Sequence, residues 1–218
     1  MKTYREILKR VGVVLIFVGL ADLAYMVYCI STKQNYSSSL NIFAVAAGIF
    51  LWRGHLGAAR LVARFGAFFL AASIGTLLFL APFLQPMDLW ITKLRLNPIA
   101  SAWGFMVTLA LLGLFAWAYA QLRSAPVLQA LQSHGRPTAA PKLTIGIGFA
   151  LPIAMSILFH FTLSGDAGSK AIDLAKSEYG TQYKYSPTAI NWADNHVLVT
   201  LTAYNDHEIK VVTVEWQQ

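Results

Sequence analysis

Three stretches of this chain, Phe65–Leu84, Ile99–Leu122 and Leu143–Leu163, contain no Asp, Glu, Lys or Arg. Each is long enough to carry a helix across a bilayer, which takes about 20 mostly apolar residues. Soluble core helices are rarely this long and this apolar. Backbone groups inside lipid must pair within their own segment, so these stretches should be helical. Two further stretches qualify less cleanly. Val11–Ile30 is interrupted only by Asp22. Leu40–Trp52 has 13 residues and is expected to begin earlier, with Ser37–Ser39 supplying an N-cap. The fold class expected is therefore mostly α: a five-helix transmembrane bundle over residues 1–164, with helices near 11–30, 38–52, 65–84, 99–122 and 143–163.

Composition agrees with a membrane chain. Hydrophobic residues make up 56% of the 218 and charged residues 12%, where soluble domains carry about a quarter charged. A soluble enzyme, a disordered chain and a disulfide scaffold are all disfavoured. The single cysteine, Cys29, allows no intrachain disulfide. The basic N-terminus resembles the start of a signal peptide. The apolar run after it is longer than a typical signal core, and no small-x-small cleavage site follows, so a retained signal anchor is expected.

Basic residues orient the bundle, because they collect in short cytoplasmic flanks. Met1–Arg10 has four, Arg53–Arg64 three and Arg123–Lys142 three, against one in Ser31–Ser39 and two in Gln85–Pro98. Alternate sides thus hold ten and three. The N-terminus is expected in the cytoplasm, and five crossings would put the C-terminus outside. The net charge of +7 does not imply nucleic acid. The basic residues lie in separate flanks rather than on one surface interleaved with aromatics, and contact with anionic lipid accounts for them. Two connections carry amphipathic patterns: a helix opened by Ser124–Ala125–Pro126 with Val127, Leu128 and Leu131 on one side, and Pro86–Leu96 with Leu89, Trp90, Ile91 and Leu94. Each reads equally as a segment in the membrane surface or as an ordinary loop.

The composition changes near Leu163–Asp166. Residues 165–218 hold four basic and seven acidic residues, a near-soluble balance. Ser169–Tyr179 has helical spacing with Gly180 as its stop. Thr188–Trp192, His196–Tyr204 and Ile209–Trp216 read as strands, joined by turns at Ala193–Asp194–Asn195 and Asn205–Glu208. A small extracytoplasmic α+β domain is expected, one helix on a three-stranded antiparallel sheet. At about 50 residues such a domain is marginal alone. It is expected to lean on the outer membrane face, on Pro86–Leu96 or on another protein. Its edge strands could accept a partner's strand, or Lys210 and Glu215 could guard them. Trp192, Lys210 and Trp216 are the partner-binding candidates. His196, His207, Asp194 and Asp206 sit at turns, where turn chemistry explains them better than a metal does.

Within the membrane Asp22 is the outlier. It lies about 16 Å along the first helix from Val11, near the midplane. A carboxyl group there is costly unless paired or protonated. Tyr25, Met26 and Cys29 share its helical face. Ser73, Thr76 and Thr108 sit at similar depth and could hydrogen-bond it. A proton or ion site, an interhelical hydrogen bond and a bond to a partner subunit are the three readings. Pro152, after Gly146 and Gly148, reads as a static kink more readily than as a hinge. His160 lacks companion ligands. Small residues at four-residue spacing, such as Ala44 with Gly48 and Ala71 with Gly75, allow close helix contact. No Walker loop, HExxH, GxSxG or CxxC is present, and neither cofactor nor metal is expected.

The layout of five helices followed by a small outer domain resembles that of many bacterial inner-membrane proteins, but no motif matches a named family and nothing is carried over from the likeness; the localisation expected is a bacterial inner membrane with the C-terminal domain in the periplasm. The function expected is non-enzymatic: an accessory, assembly or scaffold subunit of a larger membrane complex. Its partners would be the bilayer and a membrane protein or a second copy of the chain. The alternative is a small-solute or ion transporter or channel with Asp22 as coupling group. An intramembrane enzyme using Asp22, Tyr25 or Cys29 would need a second catalytic group at that depth.

Overall fold

The computed structural model describes residues 3–34, 36, 41–193 and 196–217. The Ser37–Ser39 cap expected for the second helix, and Asp194 and Asn195 of the first sheet turn, lie outside them. The chain is mostly helical, with one three-stranded antiparallel sheet. Among the described residues, four helical stretches are long and apolar enough to cross a membrane: Tyr4–Ser31, Leu56–Leu84, Pro98–Leu122 and Lys142–Leu163. By internal contacts the chain forms two compact units, Met1–Leu70 with Leu112–Ile145, and Ala71–Leu111 with Gly146–Gln218.

The first unit holds α1 (Tyr4–Ser31), α2 (Asn41–Trp52), most of α3 (Leu56–Gly75), the end of α6 (Pro98–Leu122) and α7 (Ala125–Ser133). α1 begins seven residues before the expected 11, because Ile7, Leu8 and Val11 form one buried stripe between charged neighbours. α2 has 12 residues, about 18 Å of helix, against a hydrocarbon core of about 30 Å. Its expected start near 38 is not one the described residues reach. The expected turn Arg53–Arg64 is corrected to a three-residue link, since α3 already starts at Leu56. Gly54 makes this link possible with φ +81°. Ala59 and Ala63 bury one face of the new turns, so Arg60 and Arg64 ride on a helix. Leu51, Leu122, Val127 and Leu131 complete the core. α7 thus packs its apolar side into this unit rather than forming a loop, and Gly135 ends it with φ +68°.

α1 and α2 cross at two glycines. A Cβ on Gly12 would lie 2.6 Å from the Gly48 carbonyl oxygen, and one on Gly48 would lie 2.7 Å from the Gly12 oxygen. Only hydrogen at both positions lets the backbones approach this closely.

The second unit holds the end of α3, a π-helical turn (Thr76–Leu80), α4 (Ala81–Leu84), α5 (Met87–Leu96), the start of α6, most of α8 (Lys142–Leu163), α9 (Asp166–Tyr179) and the sheet. The π turn precedes Pro82. A proline ring clashes with the carbonyl four residues back, and widening the helix by one residue relieves this. The Ala81 N–H accordingly donates to the Thr76 carbonyl. Pro152, inside α8, is buried and packs beside Gly75.

α9 starts three residues earlier than expected and stops at Gly180, with φ +95°. β1 (Lys184–Ala193) is longer than expected, because it continues past an irregularity between Pro187 and Ala189. β2 (His196–Tyr204) and β3 (Ile209–Gln217) follow, in sheet order β1-β2-β3. Val197, Val199, Leu201 and Ala203 alternate inward on β2, and Val212 and Val214 on β3. Ala171 and Ala175 of α9 cover them, both fully buried. At the second turn the Asn205 side-chain oxygen accepts the His207 and Glu208 N–H groups, both at 2.9 Å.

Candidate functional site

Asp22 is half-buried on α1, and its carboxylate accepts the Tyr36 hydroxyl at 3.0 Å. The Tyr25 ring lies 6.2 Å from that of Tyr36 and 6.5 Å from that of Tyr28. Tyr36 thus meets both candidates, Asp22 through its hydroxyl and Tyr25 through its ring. No spacing rule singled out Tyr36, which lies beyond the end of α1. Ser73, Thr76 and Thr108 belong to the other unit. Thr108 donates to the Gly104 carbonyl of its own helix at 2.9 Å. Thr76 supplies the carbonyl that closes the π turn. There Ser156 of α8 donates to the Phe79 carbonyl at 3.2 Å, partly satisfying a backbone loosened by the wide turn.

A second site lies where α5 meets the sheet. Asp88, Ile91, Thr92 and Arg95 recur at positions i, i+3, i+4 and i+7, which is one face of a helix. With Gln182, Lys184, Tyr204, Asn205 and Asp206 they line an open cleft of about 350 Å³. Opposite charges meet across it. Lys184 Nζ donates to Asp88 Oδ2, and Arg95 lies 3.7 Å from Asp206. The Asp88 hydrogen bond and charge hold the Lys184 ammonium above its ordinary range. Burial, reinforced by Asp88, pushes the Tyr204 phenol up. Each charge has its opposite, so the arrangement works as a clamp that seats the sheet on α5. Sequence spacing could not reveal it, since Asp88 and Lys184 are 96 residues apart.

The far end of the sheet is different. Trp192 pairs with Val197, and Val197 pairs with Trp216. One cross-strand row therefore reads Trp–Val–Trp, its tryptophans about 10 Å apart from the usual strand spacing. Trp216 packs on the domain core, with Lys170 Nζ 5.1 Å from its ring centre. Trp192 is 55% exposed. Lys210 is engaged within the domain: it pairs with Glu208 at 2.8 Å and donates to the Tyr183 hydroxyl at 3.2 Å. Hydrogen bonds from Lys210 and Tyr183 hold the Glu208 carboxyl below its ordinary value. Among the three partner-binding candidates, only Trp192 offers a large free apolar face. His196 pairs with Glu215 at 2.9 Å, and among the described residues no three His, Cys, Asp or Glu side chains converge on a common point.

Compared with protein families, curated proteins and solved structures, the chain matches none.

Proposed function

We propose that this chain is an integral membrane accessory subunit whose outer domain contacts a partner protein. One observation carries the reading: the sheet is clamped to α5 at its Lys184–Asp206 end and presents the exposed Trp192 at its opposite end. A docked domain that offers a rigid aromatic at its free end is arranged as an adaptor, since tryptophan supplies large contact area at small entropic cost. In this reading residues 1–164 form the membrane domain, and residues 165–218 the domain outside the cytoplasm.

The proposed topology has five crossings, the N-terminus in the cytoplasm and the outer domain in the periplasm of a bacterial inner membrane. Four crossings use the long helices. The fifth is assigned to the apolar stretch that ends in α2, and before it Tyr36 is tied to α1 by its hydrogen bond to Asp22. The charge division supports this orientation. The first unit holds eleven basic and two acidic residues, and the second six basic and eight acidic. All three basic flanks fall in the first.

Gentle extraction from native membrane tests the proposal. The chain should co-migrate with a second membrane protein, and Trp192→Ala should release it while the outer domain stays protease-resistant. A wild-type chain that runs as a lone monomer refutes it. A transport reading is favoured by one feature, the π turn at Thr76–Leu80, because such turns recur at functional sites. It requires pH-dependent flux in liposomes that Asp22→Asn alters.

A further inference from the structure

We infer that the arginines at the start of α3 and the end of α6 form a binding site for the phosphate of an anionic phospholipid. Arg60 and Arg64 are one helical turn apart on α3, and with Arg123 they line a single pocket floored by Leu122 and Leu131. A fourth guanidinium joins them on this face. Arg136 Nη1 lies so close to α3 that a Cβ on Gly57 would come within 2.6 Å of it. Gly57, Arg60 and Arg64 follow i, i+3, i+7 spacing, so the four positive groups share one side of the helix.

This concentration has no internal counter-charge. None of the four arginines forms an ion pair among the described residues. The whole first unit holds only two carboxylates, Glu6 and Asp22, and the latter accepts the Tyr36 hydroxyl. Arg123 is held in place by donating to the Thr138 and Ala139 carbonyls at 2.7 and 3.2 Å. Carbonyls orient a guanidinium without neutralising it. Guanidinium forks gathered at one pocket, one of them fixed, suit the oxygens of a phosphate.

The surroundings favour a lipid phosphate over a soluble anion. The pocket offers only about 20 Å³ of open space, so a whole nucleotide does not fit inside it, and a phosphate would sit at its mouth with the rest of its molecule outside. Leu61 and Phe65 flank Arg64 on α3 and are more than half exposed. The charge-free stretch of α3 begins at Phe65. A headgroup held by the arginines would let its acyl chains run down that apolar surface, an arrangement common where basic side chains edge a membrane helix. The inference does not depend on the outer domain or its partner.

The test uses the full chain in detergent, with bound lipid measured by native mass spectrometry. The probes are phosphatidylglycerol, phosphatidylcholine and inorganic phosphate. Wild-type protein should retain phosphatidylglycerol in preference to phosphatidylcholine. Replacing both Arg60 and Arg64 by Gln should weaken that retention about thirtyfold, from the usual contribution of two membrane-surface arginines. Arg53→Gln, which removes one positive charge outside the pocket, should leave it within about twofold. The inference fails if both lipids are retained equally, if the double variant binds like wild type, or if Arg53→Gln weakens binding as much. It also fails if inorganic phosphate displaces the lipid at equal concentration, which would mark a soluble-anion site. Partner co-extraction, the readout for the proposed function, is separate from all of these.

Discussion

Single residues decide how closely α1 and α2 approach. Gly12→Ala would push a methyl group into the Gly48 carbonyl and the Trp52 amide, at 2.6 and 2.8 Å. Backbone atoms cannot swing aside as a side chain can, so the helices must part. Overpacking of this kind costs about 2 kcal/mol, and a lowered melting temperature in detergent would register it. Tyr36→Phe is milder. It removes the hydroxyl that Asp22 accepts, and should cost about 1 kcal/mol. Infrared difference spectra should show the Asp22 carboxyl band shift in that variant, whereas Tyr28→Phe should leave it unchanged. Asp22 itself was legible as an outlier in an apolar run. Its partner was not, because Tyr36 lies beyond the helix where no periodicity constrains it. The same holds for Arg60 and Arg64, which looked like part of a charged turn until Ala59 and Ala63 were found buried beside them.

At the scale of elements, the outer domain depends on a thin core. Leu201→Ala opens a cavity under α9 and should cost about 3 kcal/mol, seen as faster protease cleavage after Gly180 in the full chain. Gly168→Ala should be as damaging, since a Cβ there would fall 1.9 Å from the Leu163 carbonyl oxygen. Acid should loosen the second turn. The Glu208 carboxyl is held low by Lys210 and Tyr183, so its contribution is complete above the unfolded carboxylate pKa of about 4.3. It is lost as pH falls through the lower folded value. Lys184 behaves oppositely. Its raised pKa makes the clamp to Asp88 fully effective below about pH 10.4, and weaker as pH rises through the folded value. Hydrogen exchange at Tyr204–Glu208 across pH would follow both changes.

The strands were readable because inward Val197, Val199 and Leu201 alternate with outward neighbours. The expected strand Thr188–Trp192 covers only the part of β1 beyond Pro187, and the register shift beside that proline lets the strand extend back to Lys184. The π turn went unread for a related reason: Pro82 sits in an unbroken apolar run, and hydropathy alone does not report backbone width.

For the whole molecule, apolar length pointed to five crossings, of which four are long apolar helices among the described residues; the orientation remains the proposal that the flank charges support. Hydropathy alone does not decide whether a 12-residue helix such as α2 belongs to a crossing. Nor could it bring Asp88 to Lys184, because contacts between distant elements leave no local pattern. The proposed placement of the partner-binding end rests on the two chain ends facing opposite compartments. Fusing after Gln218 a phosphatase that becomes active only outside the cytoplasm measures this directly. The account predicts strong phosphatase activity in that fusion and none in one made at the N-terminus. Activity at neither end would contradict it, as would bright fluorescence from a cytosol-restricted reporter placed after Gln218.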